Sequence, residues 1–179
     1  MKRDFLYILL AMAMFVCSCA EPTPEGPAQG NEPEEPVLEA KYKAGEYYKS
    51  GLAEGISAYV DESGEHGLLI SLDEGYEQWS TDYIMLIVQG GEFSRENGER
   101  NTKYIKSQEN WEELYPAVVW CDNKNALGLS SWYLPAPAEL ANAALNIEAI
   151  NATLVEKGCE PIAMGVNDAY WSSEEFGVQ

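Results

Sequence analysis

The first 39 residues limit everything this chain can fold into, because neither half of them is composed like part of a packed core. Lys2 and Arg3 precede an apolar run over residues 5–16, which ends in Val16-Cys17-Ser18-Cys19. That run is too short to span a bilayer comfortably, yet it has the charged start, apolar middle and small-residue end of an export signal. Residues 21–39 then hold five prolines and six glutamates, with Val37 and Leu38 as the only large apolar side chains. Such a stretch buries too little apolar surface to offset its ordering entropy, so it reads as an extended, disordered stalk. The remainder, residues 40–179, is the size of one domain with its own core.

Residues 16–19 resemble the lipobox of bacterial lipoproteins, in which a small residue precedes a cysteine that is acylated and becomes the mature N-terminus. Cys19 is the residue expected to carry the lipid, since Ser18 suits the small position better than Val16 would for Cys17. The division that follows is a signal peptide over 1–18, a lipidated cysteine and acidic Pro-rich linker over 19–39, and a domain over 40–179. Several acyl chains on one cysteine, at about 0.8 kcal/mol per buried methylene, give stable anchoring. The acidic residues behind the lipid resemble the surface-export signal of some outer-membrane lipoproteins. The expected location is therefore the outer membrane, facing the cell surface, with the periplasmic face as the alternative.

With 11 basic and 30 acidic residues the chain has a formal charge of -19. A surface this acidic repels phosphate backbones and anionic headgroups, which argues against nucleic acid as a partner. Ile56-Ser57-Ala58-Tyr59-Val60 and Leu68-Leu69-Ile70-Ser71-Leu72 flank a Gly- and Asp-containing cluster and read as a β-hairpin. Residues 83–88 offer a third strand, closed by Gly90-Gly91. Tyr104, Ile105, Trp111 and Leu114 recur at helical spacing, predicting one amphipathic helix over 101–114. A short helix through residues 117–121 follows Pro116. Two more are expected, one opening at Pro137 and running to Leu145, the other running from Ile147 to Val155 with Gly158 at its cap. Residues 169–173 return to strand-like composition. The fold class is α+β: short β-hairpins with two to three helices packed on an antiparallel sheet.

Trp132-Tyr133-Leu134-Pro135 with Glu139-Leu140, then Ile150-Asn151-Ala152 and Tyr170-Trp171-Ser172-Ser173, carry a resemblance. The chain resembles the DUF1566 family of bacterial surface proteins, related to the Fibrobacter succinogenes major paralogous domain, over most of residues 42–173. The resemblance implies a C-type lectin-like fold and a non-catalytic binding module for a glycan or a surface protein. Members of that family continue beyond the Tyr-Trp-Ser-Ser segment, so the resemblance also implies that the last strands are missing and a sheet edge is left open. An open edge suits a structural or assembly subunit of a fimbrial or outer-membrane surface complex, which is the alternative function.

Catalytic residues are not expected. His66, the single histidine, falls in the predicted hairpin turn, and acidic pairs such as Asp73-Glu74 and Glu112-Glu113 are too common here to mark a site. Asn167-Asp168 resembles the Asn-Asp pair that ligates calcium in sugar-binding C-type lectins. Val166 replaces the tryptophan before that pair, and Glu160-Pro161-Ile162 lacks the companion asparagine, so a plain turn is the preferred reading and calcium the alternative. Cys121 and Cys159 are a candidate disulfide in an oxidising compartment, with two unpaired thiols as the other option. Trp79, Trp111 and Trp120 are candidates for a sugar-stacking face, with core packing as the alternative.

Overall fold

Leu68, Leu69 and Ile70 point alternately to the two faces of one sheet, and both faces meet apolar partners, which is why this run pairs into the expected hairpin. The computed structural model describes residues 8–9, 12–16, 41–51, 53–82, 86, 92–125, 132–164 and 168–174. Its strands are β1 (Ile8–Leu9), β2 (Met12–Val16), β3 (Tyr47–Ser50), β4 (Ala53–Val60), β5 (His66–Ile70) and β6 (Gly75–Tyr76). Its helices are α1 (Gly98–Lys106), α2 (Trp111–Leu114), α3 (Pro116–Asn123), α4 (Pro137–Leu145) and α5 (Ile147–Glu156). β2, β5, β4 and β3 form an antiparallel sheet in that order, and β1 pairs with β6. The class is α+β, with five helices among the described residues.

Leu69 packs in one cluster with Ile105, Tyr115, Val118, Cys121 and Leu134. Ile56, Ala58, Leu68 and Ile70 pack in the other with Tyr133, Ala143, Ile150 and Leu154. Both faces of the hairpin are therefore covered, and its strands read as apolar runs rather than as a strict alternation. Residues 12–16, the apolar middle of the expected leader, run as β2 along β5 from Met12 opposite Ile70 to Val16 opposite His66.

The helix expected over 101–114 is two helices. Asn97 starts α1 early, its Oδ1 accepting from the Arg100 N–H at 2.8 Å, and Glu99 and Lys103 pair one turn apart at 2.9 Å. Asn110 then adopts a left-handed conformation at φ 57°, which ends the α1 direction before Trp111 opens α2. At the end of α5 the Gly158 N–H donates to Val155 O and the Cys159 N–H to Leu154 O, with Gly158 at φ +75°. This is a Schellman cap, and the positive φ explains the glycine. The third strand expected at 83–88 lies outside the described residues except for Leu86, which is buried in a turn. Within residues 169–173 only Tyr170 makes a bridge, so that segment is held by side chains and a single backbone bond from Ser173 rather than by a ladder.

Three asparagines satisfy loop backbone that no strand pairing satisfies. Asn101 Oδ1 accepts from the Ser94 N–H and its Nδ2 donates back to Ser94 O, each at 2.7 Å. Asn125 makes the same double bond with Trp132, at 2.8 Å each way, and Asn151 with Ile162, at 2.8 and 2.9 Å. Each side-chain amide imitates a peptide group and satisfies one loop residue's N–H and C=O together. We predict that Asn125→Ala and Asn151→Ala each lower stability by about 1–3 kcal/mol in urea melts, since both loop groups lose their partner. Losses under about 0.5 kcal/mol would show that water replaces the amide without penalty.

Candidate functional site

A β-bulge lies at the edge of a cleft among the described residues. In β4, Ser57 stands opposite Leu69 and Tyr59 opposite Leu68, so Ala58 is the extra residue. Its carbonyl accepts from Asn146 Nδ2 at 3.1 Å, at the joint between α4 and α5. The bulge leaves Ala58 fully buried and turns Tyr59 outward, where it is 38% exposed. Tyr59 lines an open cleft of about 570 Å³ with Asp61, His66, Leu68, Asn142 and Glu139. Glu96 and Asn97, just before α1, close its other side.

The polar groups of this cleft differ in their freedom. Asp61 accepts from Ser63 Oγ at 2.6 Å, and that bond first of all holds its carboxyl below the ordinary value. His66 is exposed and is the first residue of β5, which begins within the stretch expected to be the hairpin turn. Glu139 is 5% exposed, and its carboxylate is already occupied. Its Oε2 accepts from the Ala136 N–H at 2.7 Å and the Gly98 N–H at 3.2 Å, and its Oε1 from the Tyr133 hydroxyl at 3.0 Å. It thus sits at the N-terminal ends of both α1 and α4, where partial positive charge favours an anion. Burial nevertheless outweighs these bonds and raises its pKa. A Cβ on Gly98 would lie 2.6 Å from Glu139 Oε2 and 2.6 Å from Leu134 O, so only glycine admits the carboxylate here.

The two aromatic segments of the sequence meet around this joint. The Ser173 N–H donates to Pro135 O at 2.7 Å, and Asn101 Nδ2 to Ser173 Oγ at 2.9 Å. Trp79 Nε1 donates to Ser172 O at 2.8 Å and Trp171 Nε1 to Glu77 O at 3.0 Å. Tyr170 donates to Glu74 Oε1 at 2.6 Å, while burial raises the Glu74 pKa, with the charge of Asp168 adding to it. Trp-Tyr-Leu-Pro and Tyr-Trp-Ser-Ser are thereby a frame under the cleft, and of this group only Glu139 also lines it.

Other sequence candidates fall elsewhere. Trp79, Trp111 and Trp120 are half-buried against the first core cluster, so they pack instead of offering a stacking face. Trp79 meets Tyr115 edge-on at 5.5 Å, and Lys106 and Lys124 lie over Trp111 and Trp120 at 5.2 and 4.1 Å. The disulfide does not form: Cys121 and Cys159 are free thiols. Cys121 is buried in the first cluster, which raises its pKa strongly, while Cys159 packs against the second as the last residue of the α5 cap. Asp168 is exposed, and Asn167, like Cys19, lies outside the described residues. Among the described residues no three His, Cys, Asp or Glu side chains converge as metal ligands, and no helix is long and apolar enough to cross a membrane. Tyr59 and Asn142 escaped the sequence reading because the bulge that turns Tyr59 outward has no local signature.

No family model, no curated protein and no solved structure compared with this chain matches it.

Because the folded state raises the Glu139 pKa above its ordinary 4.5, its contribution to stability is complete below that pH and is lost as pH rises through the native titration. We predict that Glu139→Gln, which keeps an acceptor for both amides, gains stability relative to the parent between pH 4 and 7. Parallel melting curves across that range would contradict it. Glu139→Ala, leaving both amides and the tyrosine unpaired, should cost about 2–4 kcal/mol, with the larger cost at pH 4 and the smaller at pH 7.

Proposed function

We propose that this chain is a lipid-anchored lipoprotein displayed outside the cytoplasm, whose α+β domain is a non-catalytic binding module for a glycan or a protein. Cys19 carries the lipid and residues 21–39 hold the domain away from the membrane. The observation that carries the binding role is the cleft beneath the bulge, where an outward tyrosine ring stands beside Asp61, His66 and Asn142. A cleft with an aromatic face and a few convergent polar groups is the usual form of a small-ligand site. A sugar fits it well, because its C–H face stacks on an aromatic ring while its hydroxyls meet carboxylate and amide. The resemblance to C-type lectin-like domains supports the same reading.

The absence of catalysis is part of the proposal. Hydrolysis of a polysaccharide needs two available carboxyl groups about 5–9.5 Å apart. Of the three carboxylates lining the cleft, Glu139 has both oxygens committed to the α1–α4 joint and Asp61 accepts from the Ser63 hydroxyl, which leaves Glu96.

A second reading, a structural or assembly subunit of a surface complex, draws support from the pairing of β2 with β5.

Glycan-array screening of the whole chain, followed by titration of any hit, tests the first reading. Tyr59→Ala and Asn142→Ala should each weaken binding about tenfold or more while the melting temperature stays within a few degrees. Binding should persist in a chelator. Absence of any glycan or protein ligand, or ligands indifferent to both substitutions, would overturn the assignment of the cleft.

A further inference from the structure

We propose that, once the leader is removed, the outer edge of β5 takes up an apolar, uncharged strand donated by another protein, added antiparallel and in the register that β2 occupies here. This rests on the assembly reading above and names the chemistry of its partner.

The two edges of the sheet are treated differently by the sequence. β3, at one edge, has only four residues; its Lys49 and Ser50 are exposed, and Lys49 pairs with Glu54 at 2.8 Å. Short length and an exposed lysine are the usual means of blunting an edge against further strands. β5, one residue longer, lacks the lysine. It reads His66-Gly67-Leu68-Leu69-Ile70, without lysine or proline, and its last four residues are buried. Such a strand belongs inside a sheet, and here it is inside one only because β2 covers it. All five β5 residues have partners in Met12–Val16. Those residues belong to the segment that an export peptidase acting before Cys19 would remove.

The occupant's chemistry can be read from what is seated there now. Met-Ala-Met-Phe-Val is uncharged in a chain of net charge -19. A second copy of the domain is the poorer candidate, because edge-to-edge pairing would bring two such charges together. The site also offers selectivity. His66, Gly67 and Leu68 line the cleft and are also the residues opposite Val16, Phe15 and Met14. An added strand therefore ends opposite the β5 residues that line the cleft: the ladder supplies affinity and the cleft reads a side chain.

The test uses the full chain with a protease site inserted in residues 22–39 and cut after folding. The leader fragment should co-elute with the domain in gel filtration. A labelled synthetic peptide of residues 10–18, with Cys17→Ser, should displace it saturably. Met14→Pro and Phe15→Pro are adjacent, so one of them removes an N–H that faces β5; at least one of these peptides should bind about tenfold more weakly or worse. If the cut domain loses its near-ultraviolet circular dichroism, restoration by the parent peptide supports the proposal and failure to restore it overturns it. A folded domain that releases the fragment and ignores the peptide, or that dimerises through β5 instead, also overturns it. Glycan binding retained in that folded domain would leave the binding-module reading standing while strand addition fails.

Discussion

The Glu139 carboxylate is the interaction on which the rest of this domain depends. It accepts from the backbone at the start of α4, from the backbone at the start of α1, and from Tyr133 in the segment between the two core clusters. Two helices whose first residues are 39 positions apart are locked end to end by one buried charge. The charge is tolerated because three donors and two helix N-termini face it, and it is not free, since burial still raises its pKa. Gly98 is the local concession that lets the ends approach.

Everything around the cleft is referred to that joint. α4 carries Asn142 on its cleft side and ends at Asn146, whose amide secures the bulge in β4. The bulge in turn aims Tyr59. The Tyr-Trp-Ser-Ser segment closes the frame from outside through Ser173, Trp171 and Tyr170, each bonded to a different loop. A domain with a short sheet and long connections gains its definition from such polar cross-links, because loops carry backbone groups that helices and ladders do not satisfy.

How much of this could be read beforehand follows from where each signal lies. The β4–β5 hairpin, α4 and α5 were legible because hydrophobic periodicity, Pro137 and Gly158 are local marks. The break at Asn110 was not: Tyr104, Ile105, Trp111 and Leu114 keep helical spacing across it, and the left-handed residue leaves no trace in the apolar pattern. The asparagine staples were equally hidden, since the partners of Asn101, Asn125 and Asn151 are set by tertiary approach. Trp-Tyr-Leu-Pro, Glu139 and Tyr-Trp-Ser-Ser were recognised as a pattern by resemblance, and their chemistry emerged only when the fold brought them to one joint. The sequence left the cysteines open between a disulfide and two thiols, because only the fold assigns each thiol to a different core cluster.

Amide hydrogen exchange on the intact chain tests the central claim most directly. Gly98 and Ala136 stand at helix starts, where backbone N–H groups ordinarily exchange fast for want of an intrahelical partner. If their N–H groups bond the Glu139 carboxylate as described, both exchange as slowly as the β4–β5 ladder, and both become fast together in Glu139→Ala. Rapid exchange at Gly98 and Ala136 in the parent chain, with the ladder still protected, would contradict the account.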